Sequence, residues 1–85
     1  MLGRMIVKVT RSPQFIKQVK HLDNFLLEKI KKQITKILQN PLVGKPLKYR
    51  RGERSIYVKP FRLIYALRGD QLILLKFEHR KGVYK

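Results

Sequence analysis

Residues 54–67 read RSIYVKPFRLIYAL, and this stretch decides the fold. Ile56 and Val58 share one parity, continued by Leu63, Tyr65 and Leu67. The other parity carries Ser55, Tyr57 and Lys59, then Arg62, Ile64 and Ala66. A period of two marks a strand with two unlike faces. Pro60 has no N–H to give to a ladder, so the run divides into two strands joined by a tight turn near Lys59-Pro60. The hairpin then has an apolar side that needs a cover and an opposite side bearing Tyr57, Lys59 and Arg62.

The residues before it supply the cover. Met5–Thr10 (MIVKVT) is β-branched and reads as a strand. Ser12-Pro13 opens a helix, because the serine oxygen accepts from an orphan backbone N–H and proline suits the first helical position. Phe15, Val19 and Leu22 form its apolar stripe, with His21 on the solvated side. Asp23 or Asn24 caps a second helix with a stripe of Leu27, Ile30, Ile34, Ile37 and Leu38. Lys29, Lys31, Lys32 and Lys36 occupy its solvated remainder. Asn40-Pro41 ends it, since the residue before proline resists the α region. About two residues join the helices, which predicts an antiparallel hairpin. Leu27, Ile30, Ile34 and Ile37 are expected against Leu63, Tyr65, Ile73 and Leu75.

Residues 41–53 (PLVGKPLKYRRGE) form a Pro- and Gly-rich connection in which Leu47-Lys48-Tyr49 offers a short edge strand. Arg68-Gly69-Asp70-Gln71 is a hairpin turn. Leu72–Phe77 (LILLKF) is apolar at nearly every residue, as in a central strand covered on both faces. The result is one α+β domain, residues 1–85. It has an N-terminal strand, a two-helix antiparallel hairpin, and a largely antiparallel sheet of three to four strands.

Composition narrows the function. The chain has 21 Lys+Arg against 5 Asp+Glu, a net charge of +16, and no cysteine. Disulfide frameworks and thiolate zinc sites are excluded. No apolar run approaches a membrane span and the N-terminus lacks the apolar core of a signal peptide, so the expected location is cytoplasmic. Phosphate loops, HExxH and GxSxG are absent, and the few carboxylates do not pair as an acid/base couple would. Charge this unbalanced repels itself, so an acidic partner is expected. Lys45, Lys48, Arg50, Arg51, Arg54, Lys59 and Arg62 fall close together, and Arg80, Lys81 and Lys85 follow. Tyr49, Tyr57, Phe61 and Tyr84 are interleaved with them. Cations hold phosphates and aromatics stack on unpaired bases, which points to single-stranded RNA.

Several features together resemble the RelE/ParE toxin superfamily. They are the order of elements, the helix ending in Asn40-Pro41 with Gly44 and Leu47 after it, Phe61-Arg62-Leu63-Ile64-Tyr65, and the closing His79-Arg80 with Val83-Tyr84. The resemblance covers essentially the whole chain from Met5. Its RelE-like mRNA interferase branch implies a type II toxin–antitoxin system and an acidic, RelB-like antitoxin. It also implies endoribonuclease cleavage of messenger RNA on the ribosome, with neither metal nor cofactor. Arg62 matches the arginine of the family's central strand motif and would stabilise charge on the phosphorane. Arg80 would act on the leaving side, and Tyr84 would stack on the substrate base. Lys59 joins them as a catalytic candidate, and the general base stays open among Lys59, Tyr57, Arg54 and His79. By parity His79 lies with Ile73, Leu75 and Phe77, away from Lys76, and reads as structural. Lys48, Arg50, Arg51, Arg54, Tyr57 and Lys81 are the expected RNA contacts. Two alternatives stand beside this reading: a ParE-like gyrase poison of the same fold, and a basic nucleic-acid-binding module without catalysis.

Overall fold

The computed structural model describes residues 6–79. Its elements are β1 (Lys8–Arg11), α1 (Pro13–Val19), α2 (Asn24–Gln39), β2 (Lys45–Pro46), β3 (Glu53–Val58), β4 (Phe61–Arg68) and β5 (Gln71–His79). The strands form one five-stranded sheet in the order β1-β5-β4-β3-β2. Only β1 runs parallel to its neighbour, pairing Lys8 with Gln71 through Arg11 with Leu74. The other pairings are antiparallel.

The expected hairpin forms, turning at Lys59-Pro60 between β3 and β4. A second turn at Gly69-Asp70 joins β4 to β5, and Gly69 takes the positive φ of 56° that this reversal requires. Both helix caps follow their residues. The Ser12 side chain accepts from Phe15 N–H at 3.0 Å, and Asp23 Oδ1 accepts from Leu26 N–H at 2.9 Å.

Phe15, Ile30 and Ile37 of the helices bury against Val58, Leu63, Tyr65, Leu72, Leu74 and Phe77 of the sheet. Ile34 packs partly buried against this core, Leu27 is half-buried, and Leu38 is exposed at the edge of the stripe. The β5 contribution differs from strict alternation. Leu72, Leu74 and Phe77 face the helices, whereas Ile73 and Leu75 are half-buried. The cause is a bulge: Ile64 pairs with Lys76 but Tyr65 pairs with Leu74, so Leu75 is the extra residue and parity flips beyond it. The side chains at the start of α1 and along it cover the β5 backbone at this point. Ser12 Oγ donates to Leu75 O at 2.7 Å, and Phe77 N–H donates to Gln18 Oε1 at 2.8 Å.

Three boundaries shift. The first helix ends at Val19 rather than at Leu22, and Leu22 packs partly buried against the core from the connection that follows. The first strand is Lys8–Arg11 rather than 5–10, since it extends only as far as its pairing with β5. The short edge strand is Lys45–Pro46, not 47–49, because Lys45 and Pro46 are the residues that pair with Ser55 and Arg54. No helix among the described residues is long and apolar enough to cross a membrane.

Candidate functional site

The sheet face away from the helices carries the polar parity. Two cross-strand rows define it: Lys45, Ser55, Ile64 and Lys76 in one, and Tyr57, Arg62 and Glu78 in the next. A cleft of about 460 Å³ opens at the β2 side, lined by Val43, Lys45, Ser55, Ile56, Tyr57 and Arg62. It combines two cations with a hydroxyl, an exposed phenol and an apolar wall. Among the described residues the ion pairs are Lys31–Glu28 and Arg50–Glu53, so no described carboxylate is within 4 Å of the Arg62 guanidinium. Glu78 is its partner in register without forming such a pair. A guanidinium left open in this way is suited to the oxygens of a phosphate.

The expected site residues separate into groups. Lys59 lies exposed in the β3–β4 turn, at the same sheet end as Tyr57 and Arg62. Lys48, Arg50 and Arg51 lie in the β2–β3 loop, beyond the opposite end of β3. A strand of that length spans roughly 17–20 Å, so this loop and Arg62 face different parts of any ligand. Within the loop Tyr49 is 88% exposed, the Lys48 ammonium is 5.7 Å from its ring centre, and Arg50 reaches Glu53 at 3.8 Å. Arg80, Lys81 and Tyr84 lie outside the described residues.

Arg54 is on the other face, paired in register with Tyr65. Its terminal Nη1 donates to Leu42 O at 3.1 Å and to Gly44 O at 2.6 Å. The buried Tyr65 hydroxyl accepts from Gly44 N–H at 2.9 Å and donates to Pro41 O at 2.8 Å. Burial raises the Tyr65 pKa above its ordinary value, while the Gly44 hydrogen bond and the Arg54 charge act the other way.

His79 also faces the helix side. It pairs in register with Phe61 and sets its ring edge-on to that phenyl at 5.5 Å. Phe61 in turn stacks on Phe77 at 4.8 Å, so its ring belongs to the core rim. The sequence alone does not mark Lys45, Ser55 and Lys76 of the polar face as site residues. Lys45 stands within the cation run, but its position depends on the two-residue β2. The bulge hides the facing of Lys76. No described trio of His, Asp or Glu converges as a metal site would require.

The family described as "ParE toxin of type II toxin-antitoxin system, parDE" matches residues 9–84. No curated protein matches the chain. Among solved structures, YafQ from E. coli strain BL21(DE3) is similar at 27% identity and a TM-score of 0.72, over 91% of this chain and 97% of that one. The RelE of the Methanococcus jannaschii RelB-RelE antitoxin-toxin complex is similar at 25% identity and 0.72, over 88% and 94%. A free-state mutant of E. coli toxin RelE shares the fold with a TM-score of 0.80 at 15% identity, over 94% and 90%. With a family match across nearly all of its length and these toxins sharing its architecture, the chain belongs to the RelE/ParE superfamily of toxins of type II toxin–antitoxin systems.

Proposed function

We propose that the chain is a RelE-like endoribonuclease that cuts messenger RNA on the ribosome and so inhibits translation in the cytoplasm. The observation that carries this reading is Arg62, set in a cleft with Lys45, Ser55 and Tyr57 and without a described carboxylate partner. In the proposed reaction the RNA 2′-oxygen attacks the adjacent phosphorus and the bond to the 5′-oxygen breaks. The 2′-OH proton passes to a base and a proton is returned to the leaving oxygen. The products are a 2′,3′-cyclic phosphate and a 5′-hydroxyl end.

Arg62 stabilises the charge that grows on the phosphorane, where its planar fork matches two oxygens. Lys45, across the cleft, adds a second positive charge. Tyr57 and Lys59 are the candidates for the base, and both belong to the same end of the sheet as Arg62. Arg80 acts on the leaving side and Tyr84 stacks on the neighbouring base, as the family resemblance implies. Lys48, Arg50 and Arg51 bind RNA backbone farther along the strand.

The M. jannaschii relative was crystallised as a complex with its antitoxin RelB, and the present chain carries a net charge of +16. Both support an acidic antitoxin that orders on binding. The family description names ParE, which supports a second reading, the ParE-like toxin that the resemblance pairs with gyrase as its target. Programmed ribosomes and purified gyrase separate the two. The proposed function requires new messenger RNA ends on ribosomes carrying the wild-type protein. Gyrase-dependent DNA breaks with intact messenger RNA would replace it with the second reading.

A further inference from the structure

Within the 41–45 segment, the side of Gly44 turned toward β3 is packed tightly. A Cβ on Gly44 would lie 2.8 Å from the Tyr65 ring and hydroxyl and 2.9 Å from Ser55 O. Its two neighbours, Val43 and Lys45, line the cleft. Four side-chain hydrogen bonds tie this segment down, two from the Arg54 guanidinium and two through the Tyr65 hydroxyl. Both side chains are on the helix face of the sheet, opposite Arg62.

We propose that Arg54 is a positioning residue which, together with Tyr65, holds the Val43 and Lys45 wall of the cleft at a fixed distance from Arg62, and that it makes no contact with RNA. Its Nη1 is committed to the Leu42 and Gly44 carbonyls, and its strand parity directs it away from the polar face. The carbonyls that it holds flank Val43, so releasing them frees the wall that carries Lys45. A catalytic cation displaced by about 1 Å costs on the order of 10²-fold in rate. The consequence for rate rests on the RNA-cleavage reading, whereas the wall-holding role does not.

The test compares wild type with Arg54→Ala, Arg54→Lys and Tyr65→Phe in three measurements. Amide hydrogen exchange at Gly44 and Lys45 reads the wall itself. The salt dependence of binding to a single-stranded RNA oligonucleotide reads phosphate contacts. Single-turnover cleavage on programmed ribosomes reads the chemical step. Arg54→Ala is expected to speed exchange at Gly44 on the order of tenfold or more while the amides of β4 and β5 keep their protection. The salt slope stays at its wild-type value. The maximal cleavage rate falls about 10–100-fold with the half-saturating concentration within about twofold.

Tyr65→Phe carries no change of charge and is expected to reproduce the rate and salt results. Its Gly44 exchange is speeded beyond the general loss of protection that its lower global stability gives the β4 and β5 amides. The double variant loses less than the product of the two. Arg54→Lys keeps the charge but not the reach to both carbonyls, so it does not restore the rate. Unchanged exchange at Gly44 overturns the proposal. So does a salt slope reduced by about 0.7, the signature of one lost phosphate contact on a single strand. Full rescue by Arg54→Lys also overturns it. If the wild type cuts nothing on ribosomes, the cleavage reading falls, and the exchange and salt measurements still decide the role of Arg54.

Discussion

Replacing Tyr65 with phenylalanine removes one oxygen atom and two hydrogen bonds from the closed interior. Tyr65 is 0% exposed, and the groups it serves, the Gly44 N–H and the Pro41 carbonyl, belong to buried residues. Phenylalanine fills nearly the same volume, so packing is conserved and the loss is polar. A buried backbone group left without a partner costs about 1–3 kcal/mol. Two such groups would cost about 2–6 kcal/mol, and relaxation of the exposed Leu42 and Val43 beside them lets water recover part of that. The expected loss is about 2–4 kcal/mol. Domains of this kind have only about 5–15 kcal/mol in all. The melting temperature should fall by roughly 8–32 °C, at about 4–8 °C per kcal/mol for a domain of this length. Equilibrium unfolding in urea measures the effect, with the midpoint lowered and the slope unchanged. Tyr49→Phe, at a solvated ring, is the control and should stay within about 0.5 kcal/mol. A loss below about 1 kcal/mol for Tyr65→Phe would refute the reasoning, because it would mean that the two backbone groups do not depend on the hydroxyl.

Arg62→Ala should fold with stability within about 0.5 kcal/mol of wild type while single-turnover messenger RNA cleavage slows about 10²–10³-fold; a wild-type rate in the folded variant would remove Arg62 from the chemistry. Raising the pH should weaken the fold through Tyr65. Its folded pKa is raised, so the native state holds the proton more tightly than the unfolded chain. The stabilisation is complete below the unfolded phenol pKa of about 10 and is lost as pH rises through the folded value. Urea unfolding from about pH 9 upward should show this decline, and Tyr65→Phe should flatten it. Gln18→Ala leaves the Phe77 N–H at the bulge without its acceptor and should cost about 1–3 kcal/mol by the same unfolding measurement.

Much of the fold is legible because local chemistry and burial agree. Ser12-Pro13, Asp23 and Asn40-Pro41 mark helix ends through backbone groups that need partners, and the structure has its helix boundaries there. The alternation from Ser55 to Leu67 places the hairpin's apolar and polar parities on their correct faces. The same rule fails in β5. LILLKF is apolar on both parities, so no polar residue announces where an extra residue enters, and the bulge at Leu75 reverses the facing of the residues beyond it. Parity puts His79 on the face of Phe77, where it lies, although Ile73 and Leu75 are not on that face. The cleft is harder to see. A run of cations from Lys45 to Arg62 is continuous in sequence, yet the β2–β3 loop and the β3–β4 turn carry its parts to opposite ends of the sheet. Arg54 lies between them in sequence but is on the face that meets the helices. Charge alone does not reveal this, because it depends on strand register.

The parallel pairing of β1 with β5 has a consequence for how the chain reaches its native state. The Ser12 hydroxyl finds its acceptor at Leu75, 63 residues later. Among the described residues the first strand has no neighbour in the sheet other than β5. While the chain is being synthesised, Lys8–Arg11 therefore waits unpaired until Gln71–Leu74 emerge, and Leu72, Leu74 and Phe77 are missing from the core for the same interval. Contacts so distant are slow to form, because a long loop must close before they return any free energy. A nascent chain stopped before β5 has an apolar hairpin, two uncovered helix stripes and a lone strand, so the core closes only once β5 has been made. The order of the strands thus ties the first strand's place in the sheet to the arrival of β5.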